Sequence, residues 1–385
     1  MRVLFVNNFR RRGGGEEFLR DLLPGLSAKG VKIGLVCRPA TPLADMFKNS
    51  QVDVFPIERT GLSGLSAFIR TANVIRKNRY EIIAIQRVHD IIQSWLGSLL
   101  SGRSPRLTYT VQVPEFVQSR ILLRRVDEIT TISRHIRDKI VSFDPGLASR
   151  THIIHYGINL DQFNTASVNR GMLRERFGLS PRTRIIGTVG DLWKNQIEFL
   201  DALAIIRREM LDIRFAIVAT EEGGDNEPAK AFKKRARELR LDDILLWTGR
   251  LPKDEMREFY ADIDLAINMH RNEGFGIWVI EALAMGAPVI SVNEGGVRDS
   301  LEGCPASILV DGGPDAVTAN VLRVLSDHDL RRKMSRAGPL WVNERFNKQR
   351  MVDDYYQFYV NLTSGTRHGA PCSEQPECSH EQRDV

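Results

Sequence analysis

Long apolar runs are missing from this chain. None of its 385 residues falls in an uninterrupted apolar stretch of about 18, so no segment reads as a membrane-spanning helix. Cysteine is scarce. Cys37, Cys304, Cys372 and Cys378 lack the spacing of a disulfide framework, which excludes a small stapled secreted scaffold and points to a reducing compartment. Cys372, Cys378 and His380 form a C-x5-C-x-H pattern that matches no familiar zinc spacing, and no metal is expected. The opening apolar run, Val3-Leu4-Phe5-Val6, is too short for a signal-peptide core, so a cytoplasmic protein is expected. No G-x-G-x-x-G follows the first strand, which argues against a nicotinamide-dependent oxidoreductase. The basic stretch "AKAFKKRARELR" lacks interleaved aromatics, so nucleic acid is not an expected partner. Net charge is +6, mildly basic, and suits phosphorylated ligands or an anionic membrane surface equally well.

What is present is an alternation. "RVLFVNN" reads as a strand, "EEFLRDLLPGLSAKG" as an amphipathic helix closed by Gly30, and "VKIGLVC" as the next strand. Further strands are expected at "VDVFPI", "EIIAIQ", "RLTYTV", "EITTIS" and "HIIHYGI". The pattern restarts at "RIIGTVG" and continues through "IRFAIVAT", "ILLWTG", "DLAINM" and "APVISV". Strands alternating with helices predict an α/β fold of two Rossmann-like domains facing a central cleft. We place an N-terminal Rossmann-like domain at 1–165 and a C-terminal Rossmann-like domain at 166–345. "LWVNERFNKQRMVDDYYQFYVNL" reads as helical, with 346–363 crossing back to the first domain, and 364–385 as a disordered tail. The polar segment "DQFNTASVNRG" is the linker.

Ligands of such sheets sit beyond the carboxyl ends of the strands, so the strand-to-helix turns carry the chemistry. Gly13, Gly14 and Gly15 precede the first helix and suit either a flexible loop or close approach to a phosphate. Lys194 follows Gly190 at the start of a helix. It opposes the helix dipole unless an anion lies between them, and a solvated lysine is the alternative. "HRNEGFGIWVIEALAMG" carries Glu273 on a turn with Gly274, Phe275 and Gly276, then Glu281 within an apolar helix. Eight residues put two helical glutamates ~12 Å apart, too far for an acid/base dyad. Glu273 is therefore expected at the helix mouth and Glu281 two turns in. A buried carboxylate needs a hydrogen-bond partner. Gly295 and Gly296 form a further tight turn, and four such turns suggest an elongated phosphorylated ligand.

"NEGFGIWVIEALAMGAPVISVNEGGVRD" resembles the signature of retaining glycosyltransferases of family 4, which have the GT-B fold. "GGGEEFLRDLLPGLSAKG", "IIHYGINLDQF" and "VGDLWKNQIEFLDAL" agree with that family in order and spacing, and the likeness covers roughly residues 1–363. The resemblance implies that Glu281 holds the ribose of a nucleotide sugar and that Glu273 faces the sugar. It implies that Gly274, Phe275 and Gly276 hold the donor, that Lys194 neutralises the departing diphosphate, and that Gly13–Gly15 close on the phosphate. No cofactor or divalent metal is implied. Two departures stand out: Asp191 lies near where the family places an arginine, and Gln112 stands where many members carry a histidine. His89 is then the candidate cleft histidine, with a structural role as its alternative. Residues 103–139 mix apolar and basic side chains and could rest on the inner face of a plasma membrane or meet an acidic acceptor. The expected partners are a nucleotide sugar and a glycan or lipid-linked acceptor. The alternative is a catalytically weak homologue serving as a binding or assembly subunit.

Overall fold

The computed structural model describes residues 1–9, 14–58, 63–114, 119–192, 196–219 and 227–364. Its first sheet has seven strands: β1 (Arg2–Asn7), β2 (Lys32–Cys37), β3 (Asp53–Pro56), β4 (Ile82–Ile85), β5 (Arg106–Val111), β6 (Glu128–Thr131) and β7 (Thr151–Ile153). They pair in parallel in the order β3-β2-β1-β4-β5-β6-β7. The intervening helices are α1 (Gly14–Ala28), α2 (Pro42–Phe47), α3 (Ser63–Asn78), α4 (Asp90–Ser101), α5 (Arg120–Leu123) and α6 (Arg134–Phe143). The second sheet holds β8 (Arg184–Val189), β9 (Ile213–Val218), β10 (Leu245–Trp247), β11 (Leu265–Asn268), β12 (Val289–Val292) and β13 (Ser307–Val310). It runs β10-β9-β8-β11-β12-β13, again all parallel. Its helices are α7 (Met172–Arg176), α8 (Gln196–Glu209), α9 (Glu227–Glu238), α10 (Lys253–Asp262), α11 (Ile277–Ala284), α12 (Val297–Leu301), α13 (Pro314–Ser326) and α14 (His328–Arg345). A last helix, α15 (Lys348–Ser364), ends the described chain. Central strands such as β1 and β4 are apolar along nearly their whole length because helices cover both faces of the sheet.

The terminal segment forms two helices, α14 and α15. It breaks at Phe346–Asn347, where the backbone leaves helical geometry to pair with Ile158, just before the linker. Ile158 N–H donates to the Phe346 carbonyl at 2.8 Å, and Lys348 N–H donates to the Ile158 carbonyl at 2.8 Å. Those bonds satisfy groups that a continuous helix would have used internally. Beyond the break, α15 packs on α1. A Cβ on Gly25 would stand 2.5 Å from Val352 Cγ2, so glycine alone allows this approach. Phe18 meets Tyr355 edge-on at 5.4 Å, and Phe5 meets Tyr359 at 6.3 Å. The last helix thus belongs to the core of the first sheet. The expected tail from 365 onward, with Cys372, Cys378 and His380, lies outside the described residues.

Candidate active site

Both sheets turn their carboxyl ends toward one another, and the site is assembled from the turns there. Gly276 takes a φ of +80°, which admits glycine readily, and starts α11. Among the described residues no side chain caps this helix, which leaves its first N–H groups for an anion. Glu273 sits on the turn before it, as expected. Glu281 is the fifth residue of α11, so it stands one turn in rather than two, because the helix begins only at Ile277.

A cavity of about 630 Å³ opens between the two lobes beside Glu281. Glu17 and Asp21 of α1 line it from the first lobe, and Arg250, Lys253 and Trp278 from the second. The Tyr260 hydroxyl donates to Glu281 Oε2 at 3.0 Å. Within the described residues Oε1 of the same carboxylate accepts no hydrogen bond. Burial pushes the Glu281 carboxyl up to about 7. The Lys253 ammonium and the Tyr260 hydroxyl oppose the rise, while Glu17 and Asp21 add to it. Lys253 Nζ also reaches across the cleft to Glu17 Oε2 at 3.3 Å. Burial likewise raises Asp21, against the pull of Lys253 and Arg20.

The Glu273 turn is held differently. Glu273 Oε2 lies 3.2 Å from His270 Nδ1, and its Oε1 accepts from Gly274 N–H at 3.1 Å. Its carbonyl accepts from Gly296 N–H at 2.7 Å, which ties this turn to the Gly295–Gly296 turn. Gly295 has a φ of +75°, and a Cβ there would stand 2.7 Å from the Arg271 carbonyl. A Cβ on Gly296 would overlap the Gly274 carbonyl. Close approach to neighbouring backbone therefore requires these glycines, whatever else they do. The first lobe presses on the same turn. A Cβ on Gly274 would stand 2.9 Å from the Gln112 carbonyl. Phe275 is buried and stacks on His155 at 5.7 Å with the rings 21° apart. His155 Nε2 lies 3.1 Å from Asp299, which also accepts from Arg134 N–H at 2.7 Å. Burial alone would raise the Asp299 carboxyl, but His155 and Arg134 outweigh it and hold it below the usual range.

The candidates named from the sequence thus fall into groups. Glu281 lines the cavity. Glu273, Gly274, Phe275, Gly276, Gly295 and Gly296 form one packed unit at the lobe contact. Gly190 follows β8 with a φ of +130°, next to Val189 on the cavity wall. Gly14 and Gly15 lie in the first turn of α1, where a Cβ on Gly15 would stand 3.0 Å from Gln112 Oε1. His89 is exposed just before α4 and is not among the residues lining the cavity. Lys194 and Gly13 lie outside the described residues. Sequence reasoning passed over Tyr260, Lys253, His155 and His270. Only "TGRLPK", a polar strand-end turn like those it examined, offered a signal for Lys253. Among the described residues, no three His, Cys, Asp or Glu side chains gather as metal ligands would.

The family profile "Glycosyl transferases group 1" matches residues 170–341, and "Glycosyltransferase Family 4" matches residues 12–162. A GDP-mannose-dependent alpha-(1-6)-phosphatidylinositol monomannoside mannosyltransferase of Mycobacterium tuberculosis is 26% identical over 380 residues, covering 90% of this chain and 94% of its own. A glycosyltransferase from Rickettsia africae superposes with a TM-score of 0.81 at 17% identity, over 95% of this chain and 99% of that one. Anabaena Alr3699/HepE in complex with UDP-glucose superposes with a TM-score of 0.78 at 17% identity, over 94% and 100%. At that identity the structural likenesses speak for the fold. The two profiles meet near the linker and between them account for both lobes, so the chain belongs to glycosyltransferase family 4, as a retaining glycosyltransferase with the GT-B fold.

Proposed function

We propose that this protein transfers a glycosyl unit from a UDP- or GDP-linked sugar to a glycan or lipid-linked acceptor, with retention, in the assembly of cell-surface polysaccharide or lipopolysaccharide. The observation that carries this reading is Glu281: a carboxylate on an inter-lobe cavity, one oxygen anchored by Tyr260 and the other without a hydrogen bond among the described residues. Such a group accepts from sugar hydroxyls. The nucleoside lies along the cavity between α1 and α11, and the diphosphate lies toward the uncapped end of α11. The bond from the anomeric carbon to the diphosphate breaks, and the acceptor oxygen bonds to the same face. The acceptor's proton passes to the departing phosphate oxygen. Lys194 and the helix-end N–H groups stabilise the charge that develops there, while Glu273 faces the sugar and His89 the acceptor side. No divalent metal takes part, so activity survives EDTA. The mannosyltransferase relative, whose name specifies a phosphatidylinositol mannoside, supports a lipid-linked acceptor.

Thermal unfolding with a panel of UDP- and GDP-sugars tests the reading. A donor at a hundred times its Kd stabilises by about 2.7 kcal/mol. Glu281→Ala is expected to abolish that stabilisation, and an unchanged response would remove its role. Asp191 and Gln112 favour a second reading, a weak homologue acting as a binding subunit. Donor binding with neither transfer nor slow donor hydrolysis would select it.

A further inference from the structure

Helix α4 is built inside out. Beyond Ile91 in its first turn, its inward face is small and polar: Gln93, Ser94, Gly97, Ser98 and Ser101 are buried. Gln93 Nε2 donates to Thr71 Oγ1 of α3 at 3.0 Å, and a Cβ on Gly97 would stand 2.9 Å from Thr71 Cγ2. Its outward face is apolar. Ile92, Leu99 and Leu100 are 41%, 60% and 58% exposed, with Trp95 and Leu96 half-buried between them. These positions follow i, i+3, i+4, i+7 and i+8, a single stripe along the helix. A helix whose only other surroundings were water would carry the opposite pattern.

Cations flank the stripe. Arg125 of the segment after α5 lies over the Trp95 ring at 4.3 Å, and the α5 residue Ile121 is 71% exposed. Arg103 follows α4, is exposed, and its guanidinium has no ion pair or hydrogen bond among the described residues. Arg120 lies over Phe143, and Arg124 pairs with Asp144 at 2.7 Å, so Asp144 offsets one charge. An apolar stripe with a half-buried tryptophan and an arginine border matches the interface of an anionic bilayer, acyl chains against leucine and phosphates against guanidinium.

We propose that the outward face of α4, with Ile121 and the arginines beside it, docks this protein on an anionic lipid surface. The helix begins at Asp90, at the carboxyl end of β4, so the stripe starts on the cleft side of the lobe. Its most exposed residues, Leu99 and Leu100, lie at the other end of the helix, so docking lays the flank of this lobe along the bilayer, beside which a lipid-linked acceptor would present its glycan; that consequence rests on the acceptor reading above, while docking itself does not.

The test is co-sedimentation of the full chain with phosphatidylcholine vesicles, with and without phosphatidylglycerol. The wild type is expected to bind the anionic vesicles preferentially and to be released by salt. Leu99→Glu with Leu100→Glu is expected to lower partitioning at least about tenfold, and Arg103→Glu with Arg125→Glu to remove the preference for anionic lipid. Both pairs should keep the wild-type unfolding midpoint and nucleotide-sugar binding. Failure of the wild type to bind, or binding by the leucine pair equal to wild type, overturns the proposal. So does a dimer in sedimentation velocity that the leucine pair converts to monomer while vesicle binding is absent. Vesicle binding without donor binding would uphold docking and remove the transferase reading, and the reverse would do the opposite.

Discussion

Holding a carboxylate at position 281 sets stability against binding. Its pKa is raised from 4.5 to about 7, so between those values the folded protein holds a proton that the unfolded chain has released. The stabilisation this brings is fully present below about pH 4.5 and is lost as pH rises toward 7. The shift corresponds to roughly 3 kcal/mol. Glu281→Gln escapes that loss and should be more stable than wild type above pH 7, by up to about that amount, in urea unfolding. Donor binding should run the other way. A carboxylate accepts two hydroxyls better than its acid does, so wild-type affinity should climb as pH passes through 7, while the glutamine variant should bind weakly with little pH response. Equal pH profiles for the two proteins would refute the assignment. Tyr260→Phe removes the bond that fixes the carboxylate and one group that lowers its pKa. Donor affinity measured near pH 7 should drop about tenfold, the scale of a hydrogen bond to a charged group, with the fold intact.

At the scale of elements, alternation in the sequence was enough to locate most strands, because parallel strands covered on both faces are written as short apolar runs. β13 escaped: "SILV" is four residues at a sheet edge, three of them partly exposed, and gives neither a long run nor a clean alternation. The break between α14 and α15 has a cause that no local pattern carries, because its hydrogen-bonded partner, Ile158, lies some 190 residues away, just before the linker. The α1–α15 seam is equally non-local and gives a direct prediction. Gly25→Ala forces a methyl against Val352 and should cost about 1–3 kcal/mol, as overpacking does. Val352→Ala should restore part of that loss in the double variant. Additive losses in the two single and double midpoints would show that the contact is not the cause.

For the whole molecule, the pair of glutamates with seven residues between them and the glycine turns were readable as a ligand-binding edge because they are contiguous in sequence. The lobe contact was not readable. Gln112, His155 and Arg134 meet Gly274, Phe275 and Asp299 only after both sheets have formed. Nothing in "QVP" or "IIHYG" names its partner. Gly274→Ala tests how tightly that contact is set, because its new methyl would press on the Gln112 carbonyl at 2.9 Å. Small-angle scattering should report a larger radius of gyration as the lobes part, and turnover should fall with it. An unchanged radius would mean that the turn yields locally instead.

The chain passes between lobes twice, at the linker and again at Asn347, and the two passages are hydrogen-bonded side by side. A two-bond bridge of this kind should act like the pin of a door. It is expected to allow a swing of the crevice and to resist shear or screw motion of one half over the other. Any closure would then return Lys253 to Glu17 in the same alignment, with no search for register.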